Sequence, residues 1–495
     1  MTFTSVLIVL LILDAALLIF AVRRPWIALV ALLAGLPFNG FLLDVVAPAL
    51  NIAPAGSLNR LALAGWHDAL AVGIVLASVW AVYRIRRLPR RTLEWLGVAV
   101  LAWGLVELVL APGILAAVYS YRILYLPVAL MLAVVVLAMT QGIPQWAPAR
   151  AAGAIVGSGI IAAAFALWQV YVGGYGYLNT YYQASTGLPA AYSSALVDQP
   201  RAIGTLHSPN EFGAYLVIAA AVALTPGILP LGRFRPWVGA LLGIALLLTF
   251  SRSAWVAAIV SGLLVLLMTG WRPRLAGIRR SLARNAVPLV VFFAATGLIL
   301  TTSNGIAFIH ATLTGSEPSA AVHIGAIDRV LTGGDKTPGP SPGSRPPSPG
   351  AEAEAQVGEA EAQVGERIVL TPLGGGLGTA GPKSARFTDA EPIRHSEIWY
   401  LNYVAQVGLL GLALAGAFVG SMLLELWRQR WRPWPAVAMA VLVALGAGAI
   451  FIPVIDEPPV AGALWAILGL AIIHVRGDRG RTETPQQRHA RSSGA

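Results

Sequence analysis

Cysteine is absent from the 495 residues, which excludes disulfides, thiolate metal sites, iron–sulfur clusters and a thiol nucleophile together. Loops outside a membrane must then be held by packing alone. Charge is scarce as well: 12% of residues are Asp, Glu, Lys or Arg, 57% are apolar, and mean hydropathy is +0.71. A soluble globular chain carries about twice that share of charge. Lysine occurs only as Lys336 and Lys383, against 32 arginines, a compositional skew without functional content. The first apolar run has no basic stretch before it and no A-x-A site after it, so a cleaved signal peptide is not expected.

What the sequence does have is apolar windows of about 20 residues, the length a helix needs to cross about 30 Å of hydrocarbon. They fall at 4–22, 26–46, 67–83, 93–111, 117–139, 151–172, 211–231, 237–250, 253–270, 286–302, 396–424, 435–455 and 459–475. The expected fold is therefore an all-α polytopic integral membrane protein with about 12–13 transmembrane helices. Span 237–250 is short, and 26–46 carries Pro37, Asn39 and Asp44, so these two are candidates for tilt or re-entry.

Net charge is +11 and pI is 10.2, yet 23 of the 34 Lys and Arg lie in connections that this count assigns to one face. These are Arg23–Arg24, Arg84 to Arg91, Arg150, Arg233 and Arg235, Arg272 to Arg284, Arg428 to Arg432, and the tail from Arg476. Basicity is thus topology, with that face cytoplasmic, and no nucleic-acid partner is implied. The chain divides into N-terminal helices (1–172), a central region (173–302) with exterior loop 173–210, a long exterior loop (303–395), C-terminal helices (396–475) and a basic cytoplasmic tail (476–495). Within the long loop, 335–366 is Pro/Gly-rich and then repeats EAEAQVG in tandem, a composition expected of a passive disordered insertion. Long loops gathered on one face are where a site is expected.

Gly376-Leu-Gly378-Thr-Ala-Gly381 is formally G-x-G-x-x-G, but neither a Rossmann nor a Walker reading survives. Pro382 follows at once, so Lys383-Ser384 does not stand directly after the last glycine as a Walker loop requires, and the segment is assigned to the exterior. Either a bland turn or a backbone able to approach a ligand closely, through Gly376 and Gly378, remains. In RAIGTLHSPN, Ser208 and Asn210 suit a helix N-terminus. Arg201, just outside the bilayer, is either an interfacial anchor or a bidentate phosphate ligand. Arg252, in TFSRSAW, occupies a tight exterior turn where a cation needs a partner, and Arg122 in YSYRILYLP poses the same question. Asp14 and Glu107 lie within spans, where pairing with arginine is the ordinary expectation. His395 stands where the long loop meets span 396–424, either in an aromatic belt with Trp399 and Tyr400 or as a proton acceptor. His207, His310 and His323 are read as structural, and no pair of exterior histidines has metal-ligand spacing.

Three segments, RAIGTLHSPNEFGAYL (201–216), LLLTFSRSAWVAAIVSGL (246–263) and the Gly-rich run followed by RHSEIWYLNYVAQVGLLGL (394–412), resemble the O-antigen ligase and O-antigen polymerase family of membrane glycosyltransferases. The resemblance covers roughly 150–425. It implies transfer of a glycan from a polyprenyl-diphosphate carrier to a glycan, lipid or protein acceptor at the outer face of the cytoplasmic membrane, with no cofactor and no required metal. By resemblance His395 takes the family's loop-to-helix histidine position, and Arg201 and Arg252 take its exterior arginines. His207-Ser208, Glu211 and the 335–366 insertion depart from the usual pattern. The expected chemistry has His395 as general base and Arg201, Arg252 and Arg122 as diphosphate ligands. The alternative is a transporter or flippase of a lipid-linked or anionic substrate, with charges along a mid-membrane path; a scaffold leaves Arg252 and His395 without a reason.

Overall fold

The structure is a computed structural model that describes residues 3–50, 52, 58–85, 91–174, 201–268, 290–291, 293–294, 296–297, 371–380, 399–450 and 455–477. His395, the 335–366 insertion, residues 478–495 of the basic tail and most of span 286–302 lie outside the described residues, while Arg476, expected to open the tail, belongs to the last helix. The described residues form helices and connections, with no strand among them. In chain order the helices are α1 (Phe3–Arg23), α2 (Pro25–Gly35), α3 (Leu58–Ala64), α4 (Trp66–Ile85), α5 (Thr92–Leu110), α6 (Ile114–Gln141) and α7 (Ala147–Trp168). They continue as α8 (Pro209–Leu224), α9 (Arg235–Leu248), α10 (Arg252–Met268), α11 (Trp399–Trp427), α12 (Pro433–Gly448) and α13 (Pro458–Gly477).

Among the described residues eight helical stretches are long and apolar enough to span a membrane, and α8, α10 and α12 are shorter apolar helices. The expected all-α polytopic architecture is what the chain adopts. Three windows differ in detail from expectation. The run 211–231 stops as α8 at Leu224, because Thr225-Pro226-Gly227 cannot continue it and Gly227 takes φ 90°. Span 435–455 stops at Gly448. Span 26–46 is helical but irregular: a 3₁₀ turn at Leu36–Phe38 around Pro37 and a π-turn at Leu42–Val46 follow α2.

Helices without an aqueous driving force between them associate through small residues that let backbones approach. A Cβ at Gly73 would lie 2.7 Å from the Leu18 carbonyl oxygen, joining α1 to α4. At Gly159 it would meet Ala219 at 2.9 Å, joining α7 to α8, and at Gly213 it would meet Ala254 at 2.6 Å, joining α8 to α10. One end of the bundle is fastened by Arg476 of α13, nearly buried. Its Nε and Nη2 donate to Glu425 Oε1 and Oε2 (2.7 and 2.9 Å), and its Nη1 donates to Glu94, so α5, α11 and α13 share one ion cluster. Arg91 lies 3.7 Å from Glu425 at the same end. Arg84, Arg150 and Arg430 lie over the rings of Trp80, Trp146 and the Trp427–Trp431 pair. The opposite end carries residues 201–208, the Ser251–Arg252 turn, residues 371–380 and the start of α11.

The helix α11 is broken at Gly408, whose φ 68° and ψ −177° are not helical. A break leaves orphan amides and carbonyls that hydrocarbon cannot satisfy, and residues 371–380 take them up. Leu409 N donates to Thr371 O (3.2 Å), and Leu410 N donates to Pro372 O (3.1 Å). In return Gly375 N donates to Ala405 O (2.9 Å) and Gly376 N to Gln406 O (3.1 Å). Gly378 N donates to the Gln406 side chain (2.9 Å), and Trp103 Nε1 donates to Val407 O (3.0 Å). Residues 371–380 are thus a plug seated in the kink.

Candidate functional site

The segment 201–208 is held on three sides by its neighbours. Ala202 N donates to Leu248 O (2.9 Å), fastening its start to the end of α9. The Gln169 amide grips Gly204 in both directions, Nε2 to Gly204 O (2.8 Å) and Gly204 N to Oε1 (2.9 Å). Gly204 takes φ 59°, and a Cβ there would meet the Phe212 ring at 2.8 Å, so only glycine fits. Thr205 is bound to the irregular stretch after α2: its Oγ1 donates to Pro37 O (2.8 Å) and its carbonyl accepts from Phe41 N (3.0 Å). Ser208 then caps α8 by accepting from Glu211 N (3.1 Å), while Glu211 Oε2 accepts from His207 N (3.1 Å), a displaced capping box.

This frame sets Arg201. Its Nε donates to Thr249 O (2.8 Å) and its Nη2 to Asn210 Oδ1 (3.1 Å). Thr249 is three residues before Arg252, in a turn where Phe250 has φ 47°, the one non-glycine residue with positive φ among the described residues. The turn is tied by Ser251 N donating to Thr249 Oγ1 (3.2 Å) and by a Ser251–Ser253 hydroxyl contact of 3.2 Å. Arg201 and Arg252, separate in sequence, are therefore brought to one corner, at the N-terminal ends of α8 and α10. A strained φ beside a cation is the kind of outlier from which a site is inferred.

The start of α11 adjoins that corner. Trp399 N donates to Ala449 O (3.1 Å), Tyr400 Oη donates to Gly446 O (2.6 Å), and a Cβ at neighbouring Gly448 would lie 3.8 Å from Ser253 O. His395, four residues before Trp399, is outside the described residues. Below Trp399 a cavity of about 540 Å³ opens among α5, α6, α11, α12 and α13, apolar except for Tyr125, Tyr400, Tyr403 and Asp456 in its lining.

Arg122 is placed elsewhere. Its Nε donates to Asp68 Oδ2 (2.6 Å), its Nη2 lies 3.3 Å from His67 Nε2, and His67 Nδ1 lies 3.0 Å from Asp68 Oδ1. This α4–α6 cluster lines a cavity of about 40 Å³ that shares Ile123 and Asp456 with the large one. The structure brings Arg201 and Arg252 together and leaves Arg122 in a separate ion cluster. Gly376 and Gly378 also turn inward. Both amides donate to protein acceptors, and added Cβ atoms would meet Ala111 Cα at 2.9 Å and the Ala116 carbonyl carbon at 2.7 Å. The glycine spacing thus answers to close backbone packing. Glu107 is not paired with an arginine: it is fully buried, and among the described residues neither of its carboxylate oxygens has a hydrogen-bond partner.

The sequence did not show the partner of His207. Its Nδ1 lies 2.8 Å from Asp44 Oδ2, while Asp44 Oδ1 accepts from Arg60, whose Nη1 also donates to Leu43 O (3.0 Å). Burial alone lowers the His207 pKa, but the Asp44 hydrogen bond and the charges of Asp44, Glu211 and Glu457 outweigh it and raise the value to about 9. The available signal was Asp44 itself, an acid inside an apolar window already marked by Pro37 and Asn39. Among the described residues no group of three or more His, Asp or Glu side chains is arranged to hold a metal.

Compared with protein-family models, curated proteins and solved structures, the chain matches none.

Proposed function

We propose that this chain is a membrane glycosyltransferase of the O-antigen ligase and polymerase type, moving a glycan from a polyprenyl-diphosphate carrier to an acceptor at the outer face of the cytoplasmic membrane. The observation that carries the reading is Arg201 bonded into the turn that leads to Arg252 at one bundle end, next to the start of α11. Two guanidinium groups suit the oxygens of a diphosphate, and the apolar cavity among α5, α6, α11, α12 and α13 suits its prenyl chain. The family resemblance supplies His395 as the base.

In this mechanism the acceptor hydroxyl oxygen attacks the anomeric carbon from the face opposite the diphosphate, so the configuration inverts. The bond from that carbon to the phosphate oxygen breaks, its electron pair leaves on the diphosphate, and the hydroxyl proton passes to the His395 imidazole. A positioned base contributes about 10²–10⁴-fold, and fixed cations stabilise the charge that develops on the leaving group. The acceptor is a glycan, a lipid or a protein. The transporter alternative draws no support from the broken helix, because the backbone groups freed at Gly408 are taken by the plug instead of lining a path.

The test is glycan transfer from carrier in membranes bearing wild type, Arg252→Lys or Arg201→Lys at matched expression. Retained charge without planar two-point contact should lower transfer by at least about tenfold. Full activity of both lysine variants contradicts the bidentate grip.

A further inference from the structure

The exterior-loop cations proposed so far are arginines, but a third cation is built into the same loop. His207 and Arg201 are fastened to consecutive residues of one helical turn: Arg201 Nη2 to Asn210 Oδ1, and His207 N to Glu211 Oε2, each at 3.1 Å. The imidazole is fixed on one side only. Asp44 receives Nδ1, and among the described residues Nε2 has no partner, while the side chain keeps 36% of its exposure. An acid that orients one ring nitrogen and leaves the other open is the arrangement by which enzymes aim a histidine.

The charges facing this ring come from four elements: Asp44 from the π-turn after α2, Arg60 from α3, Glu211 from α8 and Glu457 from the residue before α13. Asp44 serves Arg60 and His207 at once, and with the ring protonated these two cations stand against the three carboxylates Asp44, Glu211 and Glu457. Glu211 is engaged by its own cap and by the His207 amide. A protonated ring in this setting cannot accept a proton; what its open nitrogen offers is an N–H.

Resting on the glycosyltransferase reading, we infer that His207 is a third cation on the carrier's diphosphate, with Nε2–H donating to a phosphate oxygen while Asp44 holds Nδ1. The raised pKa of about 9 keeps the ring charged at neutral pH. The family resemblance assigns only arginines to diphosphate in this loop, so His207 is an addition to that set.

The test measures binding of farnesyl diphosphate to the full chain in nanodiscs at pH 7, 8 and 10. Wild type should weaken roughly tenfold between pH 8 and 10 as the ring loses its proton, the size of one charge-assisted bond. His207→Gln should be weaker by roughly the same factor at pH 7 and flat from pH 8 to 10. His207→Arg should bind like wild type at pH 7 and stay flat, which separates lost charge from a damaged fold. Inorganic diphosphate should displace the probe; displacement only by phosphatidylglycerol added to the nanodisc overturns the inference in favour of a lipid head group. Wild-type affinity or an unchanged pH profile in His207→Gln overturns it too, while Arg201→Ala still loses binding. If wild type does not bind, or Arg201→Ala binds equally well, the diphosphate reading fails together with it.

Discussion

Single residues at the two ends of the bundle carry opposite kinds of charge burial. Arg476 is nearly buried but answered by two glutamates, Glu94 and Glu425. Removing one partner of such a cluster leaves the rest unpaired in a poor solvent for charge, at a cost of about 3–5 kcal/mol. Arg476→Leu should therefore lower thermal stability sharply, read as loss of monodisperse protein on heating in detergent. Glu107 is the contrast, fully buried with neither carboxylate oxygen bonded among the described residues. Glu107→Gln should leave stability within about 1 kcal/mol of wild type, since no pair is broken. The sequence marked Glu107 as an intramembrane acid but not its lack of an arginine, because one window says nothing of which helix faces it. For the same reason the sequence did not show the partner of His207, since Asp44 lies 163 positions away.

At the scale of elements, the Gly-rich run and the broken helix explain one another. The positive φ values of Gly374, Gly376 and Gly378 meet that of Gly408 across a seam of backbone hydrogen bonds. A side chain at Gly374 would collide with the Gln406 carbonyl, and one at Gly408 with the Gly374 amide. Gly374→Ala or Gly408→Ala should therefore cost more than about 2 kcal/mol, left-handed strain of about 1–2 kcal/mol plus the clash. Gly420→Ala, in the same helix with open space around it, should be tolerated, and melting temperatures of the three variants check the contrast. Most helix positions among the described residues were legible to within a few residues, because apolar length is written locally, but the ends at Leu224 and Gly448 and the short helix Leu58–Ala64 were not. The break was not, since VGLLGL at 407–412 reads as continuous helix until the distant acceptors at 371–376 are known. The motif G-x-G-x-x-G was visible as a pattern while its partner, the corner between α5 and α6, was not.

For the whole molecule, alternation of apolar spans and arginine-rich connections predicts an orientation that labelling can test. The chain has no cysteine, so single introduced thiols report without background. Ser344→Cys, in the long loop, should react with an impermeant maleimide on intact spheroplasts. Arg430→Cys should react only after permeabilisation, and the reverse pattern would invert the topology. Deleting 335–366 should leave both the fold and transfer intact, as expected of a segment whose composition cannot build a core; a loss of transfer in a well-expressed deletion would make that segment part of the site.

The arginine corner, the start of α11 and the cavity beneath it converge on one claim, that this bundle end transfers glycan from a diphosphate carrier. The most direct measurement is conversion of a polyprenyl-diphosphate-linked glycan by wild type and His395→Ala in membranes at matched expression, with carrier binding measured alongside. Wild type should transfer the glycan and the variant should not, with carrier still bound by both. Carrier bound by wild type and never converted, across glycan, lipid and protein acceptors, would contradict the claim.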